Sequence, residues 1–95
     1  MTLLFSVKDL HGRVIYLSTE RWKHISKRHP HIVPYLYEIP SILQHPLSWK
    51  KASSHKVHYI AYFKAHPFPE KFLVVVGKYL NNHGFIVTAH FTKHL

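Results

Sequence analysis

Cysteine is absent and acid is nearly so: Asp9, Glu20, Glu38 and Glu70 are the only carboxylates in 95 residues. Without cysteine there is no disulfide framework and no thiolate metal site, a composition that suits a reducing compartment. So few acids make paired-carboxylate catalysis an improbable basis for any chemistry here. Long apolar runs are missing too. The longest, Phe72-Leu-Val-Val-Val76, reads as a buried strand and is far too short to cross a bilayer. The start, Met1-Thr-Leu-Leu-Phe-Ser6, has neither the basic lead nor the apolar core of a secretory signal. The expectation is a cytoplasmic protein with no membrane segment.

What the chain has instead is positive charge. Thirteen Lys and Arg against four acids give a formal charge of +9, and 11 histidines stand beside them. So strong a field on so small a body attracts polyanions, above all nucleic acid. Imidazole titrates near neutral pH without any perturbation, so the histidines supply both charge and proton transfer. Acid, base and charge stabiliser would then be histidine, lysine, arginine and hydroxyls, the usual equipment of metal-independent RNA cleavage. Hydrophobic content of 46% and aromatic content of 15% exclude a disordered basic tail. Residues 1–95 make one domain, burying about two-thirds of the unfolded surface.

The pattern along the chain is α+β. Thr2 to Val7 and Val14 to Leu17 are β-prone, with the turn residues Asp9-Leu-His-Gly12 between them. Ser18 and Thr19 offer N-caps for a helix from about Glu20 to Arg28 or His29, stopped by Pro30. A second helix is expected over roughly Val33 to Gln44, kinked or shortened by Pro40. Ser48 to Ala52 is a weak strand; Val57 to Lys64, Phe72 to Tyr79 and Phe85 to Thr92 are strong ones. A Pro-rich loop, Ala65 to Glu70, and a hairpin loop at Asn81-Asn-His-Gly84 join them. The expected architecture is two N-terminal strands and two helices packed on a curved antiparallel sheet.

Two constellations carry chemistry. On the first helix Arg21, His24 and Arg28 recur at spacings of three and four, so they lie side by side, with Trp22 and Ile25 on the adjacent apolar face. Two guanidiniums flanking an imidazole suit an anion among them; a solvated basic face is the plain alternative. On the last strand, alternation sends Ile86, Thr88, His90 and Thr92 to one side and Phe85, Val87, Ala89 and Phe91 to the other. Thr-x-His-x-Thr with Lys93 beside it is either an exposed sheet face or a phosphate-holding one. Tyr59 or Tyr62 could stack a base, or be half-buried packing. Metal is the natural rival for so much histidine. His29-x-His31, His55-x-x-His58 and His90-x-x-x-His94 match no strong zinc signature, and a cationic surround disfavours a dication. No metal and no cofactor is expected.

The string Tyr16-Leu-Ser-Thr-Glu-Arg-Trp-Lys-His-Ile-Ser-Lys-Arg-His-Pro30, paired with Gly84-Phe-Ile-Val-Thr-Ala-His-Phe-Thr92, resembles the barnase–EndoU–colicin–RelE (BECR) nuclease superfamily. The resemblance is to small phage- and toxin-associated members with a helical His-Ile-x-x-Arg-His-Pro motif and a Thr-Ala-aromatic motif on the last strand. Carried over, it implies His24, Arg28 and His29 from the helix and Thr88 from the strand. His90 stands where relatives often have an aromatic residue. It also implies a metal-independent endoribonuclease, often a toxin silenced by an antitoxin, though some relatives of the same fold poison DNA gyrase and cut nothing.

The expectation is therefore a toxin-type endoribonuclease acting on mRNA, tRNA or ribosome-bound RNA, with an acidic antitoxin as partner. His24 and His90 form the acid–base pair, Arg28 holds phosphate and Thr88 orients; Arg21, His29, Tyr59 and Lys93 bind substrate. The alternative is a non-catalytic basic toxin or binder of the same fold, gripping nucleic acid, ribosome or gyrase.

Overall fold

In the computed structural model, which describes residues 1–95, a hairpin comes first. Strand β1 (Leu3–Lys8) runs antiparallel to β2 (Val14–Ser18). Its turn is built by Asp9, whose Oδ1 accepts from the amides of His11 at 2.8 Å and Arg13 at 2.9 Å, a side-chain substitute for a backbone turn. Helix α1 (Thr19–Arg28) follows at once. The Ser18 hydroxyl accepts from the Arg21 amide at 3.1 Å, a cap worth about 1 kcal/mol. Glu20 lies in the first turn and Lys27 and Arg28 in the last, matching the helix dipole.

The expected second helix is two pieces. Pro30–Glu38 is a 3-10 helix and Ile39–Gln44 a short α-helix, α2. The break falls ahead of Pro40, because a proline near the start of a helix fits there while its missing N–H weakens the turn before it. Pro34, inside the first piece, has the same effect on α-helical bonding there. The remaining strands are β3 (Ser48–Lys51), β4 (Lys56–Tyr62), β5 (Phe72–Leu80) and β6 (His83–Thr92). Asn81 turns β5 into β6 at φ 57°, a conformation asparagine tolerates better than most residues.

The six strands form one sheet in the order β1-β2-β6-β5-β4-β3. It is mixed, which corrects the antiparallel expectation: β2 and β6 pair in parallel, from Val14–His83 to Tyr16–Phe85. That pairing closes the sheet across most of the chain's length, and a local pattern carries no sign of it. Beyond Phe85, β6 has no strand on that side; α1 and the 3-10 helix lie against it instead.

One sheet face carries the helices and the main core. Ile15 and Leu17 meet Ile25, Ile32, Ile39, Ile42 and Leu43 there, with Leu73, Val75, Ile86 and Ala89 from the centre of the sheet. Leu73 to Val76 are all buried, as the apolar run implied. On the other face Ile60, Val74 and Val76 form a small second cluster with Phe72 and Val87 around it, and no helix core residue joins them. None of the helices is long and apolar enough to cross a membrane.

A bulge in β6 sets which residues reach that second face. Val76 pairs with Thr88 and Gly77 with Ile86, so Val87 is the extra residue. Strict alternation therefore fails across it. Ile86 goes inward with Ala89 and packs in the main core, while Val87 packs on the outer cluster. Thr88, His90 and Thr92 all follow the bulge and stay in one phase.

Candidate functional site

The unpaired edge of β6 explains how a helix on one face reaches residues of the other. Ile25 of α1 is buried in the main core, with Trp22 packed against it. One step round the helix, Arg21, His24 and Arg28 pass beside the edge that β2 leaves uncovered. There they line a cleft of about 470 Å³ with His29, Val87, Thr88 and His90. The helical motif and the last-strand motif, some sixty residues apart, thus share one site.

Six residues singled out from the sequence converge here: Arg21, His24, Arg28, His29, Thr88 and His90. Two do not. Lys93 is exposed beyond the end of β6 and is no part of the cleft wall. Tyr59 is 0% exposed, a core residue whose hydroxyl donates to Asp9 Oδ2 at 3.0 Å and lies 2.6 Å from the Tyr79 hydroxyl. No base can reach its ring. In β4 the tyrosine that faces solvent is Tyr62.

The cleft is cationic without compensation. The single salt bridge of the protein joins Asp9 and Arg13 elsewhere, so neither Arg21 nor Arg28 is matched by a carboxylate. Two acids stand in adjoining hollows: Glu20 beside Arg21 and His24, and Glu70 in the wall of a hollow of about 230 Å³ that shares Arg28 and His29. Its loop is pinned by His66, which is 2% exposed, stacks on Phe91 at 3.8 Å and hydrogen-bonds the Glu70 carbonyl through Nδ1 at 2.7 Å. Nowhere do three His, Asp or Glu side chains converge as a metal-binding group.

His90 is the site's most perturbed group. Half-buried on β6, it lies with its ring centroid 5.6 Å from that of His29. Burial, then the positive charge of His29 and of His58, push its pKa below the ordinary 6.5. A pKa below 6.5 leaves His90 mainly neutral, and so able to accept a proton, at pH 7. His24 and Arg28, by contrast, are exposed on the helix.

Sequence reasoning missed His58. Strand register puts it on the outer face, across Val76 from Thr88 and beside Lys50. It lines a small hollow together with His90, Thr92 and His94. Burial, then Lys50 and Lys56, lower its pKa as well. Alternation along β4 sends His58 and Tyr59 to opposite faces; only the strand order sets His58 and His90 on one surface.

Comparison with protein-family models, with curated proteins and with solved structures gives no match.

Proposed function

We propose that the α1–β6 cleft is the active site of a metal-independent endoribonuclease, of the toxin type that the BECR resemblance implies. The observation that carries this is the meeting of two arginines with a neutral-held histidine, an exposed histidine and a hydroxyl in one acid-free cleft. Neutral His90 takes the proton of a ribose 2′-hydroxyl, and the 2′-oxygen attacks the adjacent phosphorus. Arg28 and Arg21 hold the non-bridging oxygens as negative charge grows on them. His24, as the general acid, gives a proton to the departing 5′-oxygen. The products are a 2′,3′-cyclic phosphate and a 5′-hydroxyl, and the Thr88 hydroxyl orients the phosphate between them.

A strand pair, helices, and then a run of antiparallel strands ending in the catalytic one support the BECR-like reading of the fold. An acidic antitoxin that covers the cleft would silence the enzyme, and the charge of +9 favours such a partner. The reading places the protein in the cytoplasm, where RNA is the substrate.

The test is incubation of the purified protein with labelled tRNA and mRNA in EDTA, with and without ribosomes, beside His24→Ala and His90→Ala. Discrete fragments with cyclic phosphate ends, lost by about a hundred to ten thousand fold in either variant, are expected. RNA bound with no products under both conditions would instead assign the cleft to a non-catalytic grip on nucleic acid.

A further inference from the structure

A second cleft, of about 400 Å³, lies at the other end of β6 and shares no residue with the first. It is framed by the β1–β2 turn, the exposed end of β3 and the start of β4, with Tyr79 of β5 at its floor. Three features of its wall belong together.

The first is Arg13. Its Nε donates to Asp9 Oδ2 at 3.3 Å, and its guanidinium carbon sits 3.7 Å from the centroid of the Tyr79 ring. Asp9 in turn is buried and holds a fixed position through Tyr59 and two backbone amides. The guanidinium is therefore clamped from one edge and one face, while its two terminal nitrogens make no hydrogen bond within the protein. A planar fork immobilised in advance is the geometry that binds phosphate oxygens with little further loss of freedom.

The second feature is charge. Lys51 and His55 stand in the same wall and no carboxylate lines it; Asp9 is spent on Arg13. The third is Trp49. It is 45% exposed, and its ring meets His11 edge to face at 4.6 Å, which fixes the indole as a plate at the cleft mouth. An exposed, braced aromatic plate beside a phosphate fork is the pairing that recognises a base and its phosphate together. Acidic peptide would use the cations and leave the plate without a role.

We propose that this second cleft binds a nucleotide unit, its base stacked on Trp49 and its phosphate held by Arg13 and Lys51. The ligand chemistry is the same for a free nucleotide and for one nucleotide of a single-stranded RNA. The inference stands independently of cleavage at the first cleft, because neither its residues nor its evidence are shared.

The experiment reads the indole N–H signals of the two tryptophans, Trp22 and Trp49, by NMR, with Trp49→Leu assigning them. The intact protein is titrated with adenosine 5′-monophosphate, with a deoxyribose decamer that offers no 2′-hydroxyl, with inorganic phosphate and with hexaglutamate. A Trp49 shift that saturates with the mononucleotide supports a free-nucleotide site; one that saturates only with the decamer supports a strand-binding site. In either case Lys51→Gln, an exposed substitution, weakens binding at least tenfold and leaves the fold intact. Arg13→Gln is read the same way once its thermal midpoint shows it folded. The proposal is overturned if Trp49 moves with neither nucleotide ligand. It is equally overturned if phosphate or hexaglutamate acts as strongly as the nucleotide, since the base would then contribute nothing.

Discussion

His29 and His90 face each other across the cleft with ring centroids 5.6 Å apart, one at the end of α1 and the other on the last strand. Burial first, and then the charge of His29, lower the pKa of His90. If His90 is the base, the acid limb of the pH–rate profile reports its protonation and lies below pH 6.5. Replacing His29 by Gln removes a positive neighbour, so protonated His90 becomes less costly and its pKa rises. The limb then moves to higher pH, while the rate on the plateau changes little. A limb that stays in place in His29→Gln would show that another group is the base.

The lowered pKa of His90, together with that of His58, bears on stability. His58 and His90 both have folded-state pKa values below the ordinary 6.5, so between those values and 6.5 the unfolded chain binds more protons than the folded one. Stability is then highest above about pH 6.5 and falls as the pH drops through that window. Asp9 does not share in this loss, because its own pKa lies below 3.8. Thermal midpoints measured at pH 7.5 and 5.5 are expected to fall for the parent protein and to fall less for His58→Gln/His90→Gln. An equal drop in both would place the proton uptake on other groups.

Local chemistry was legible where local rules decide it. Ser18 caps α1 and Asn81 turns the last hairpin, as their side chains dispose them to do. Spacing on one helix grouped Arg21, His24 and Arg28 correctly, since a regular helix leaves little room for another arrangement. Alternation on β6 grouped Thr88, His90 and Thr92 only because all three follow the bulge; it misplaced Ile86, which precedes it, and Val87, which forms it. A bulge depends on the fit of two strands, and neither strand shows it alone. Tyr59 was misread for a related reason. Its aromatic ring and its hydroxyl suit a surface equally well until Asp9, fifty residues away, and Tyr79 are seen to satisfy the hydroxyl in the core.

That buried group makes a prediction of its own. Burial alone would raise the pKa of Asp9, yet the hydroxyls of Tyr79 and Tyr59 and the amides of Arg13 and His11 favour the anion and carry it down. Tyr79 fits beside them only because Gly84 has no side chain: a Cβ there would lie 2.6 Å from the Tyr79 ring. Tyr59→Phe keeps the ring and deletes the hydroxyl, leaving a buried carboxylate short of one partner. The expected loss is about 1–3 kcal/mol by urea denaturation. A tyrosine that served a base at the surface would accept phenylalanine with no change in stability.

Salt dependence separates a cleft that follows the RNA backbone from a generally basic surface. Each phosphate contact made by a cation releases counterions, so the logarithm of the binding constant falls with the logarithm of salt by about 0.7 per contact on a single strand. Arg21 and Arg28 line the first cleft with no carboxylate to neutralise them, whereas Lys93 stands outside it. Fluorescence anisotropy with a labelled deoxyribose decamer, which the proposed chemistry cannot cut, gives that slope directly. Arg21→Ala and Arg28→Ala should each lower its magnitude by about 0.7, and Lys93→Ala should leave it nearly unchanged. Equal reductions in all three would mean that the strand is held by diffuse charge. The convergence of two motifs on this cleft would then serve the helix–strand packing rather than recognition.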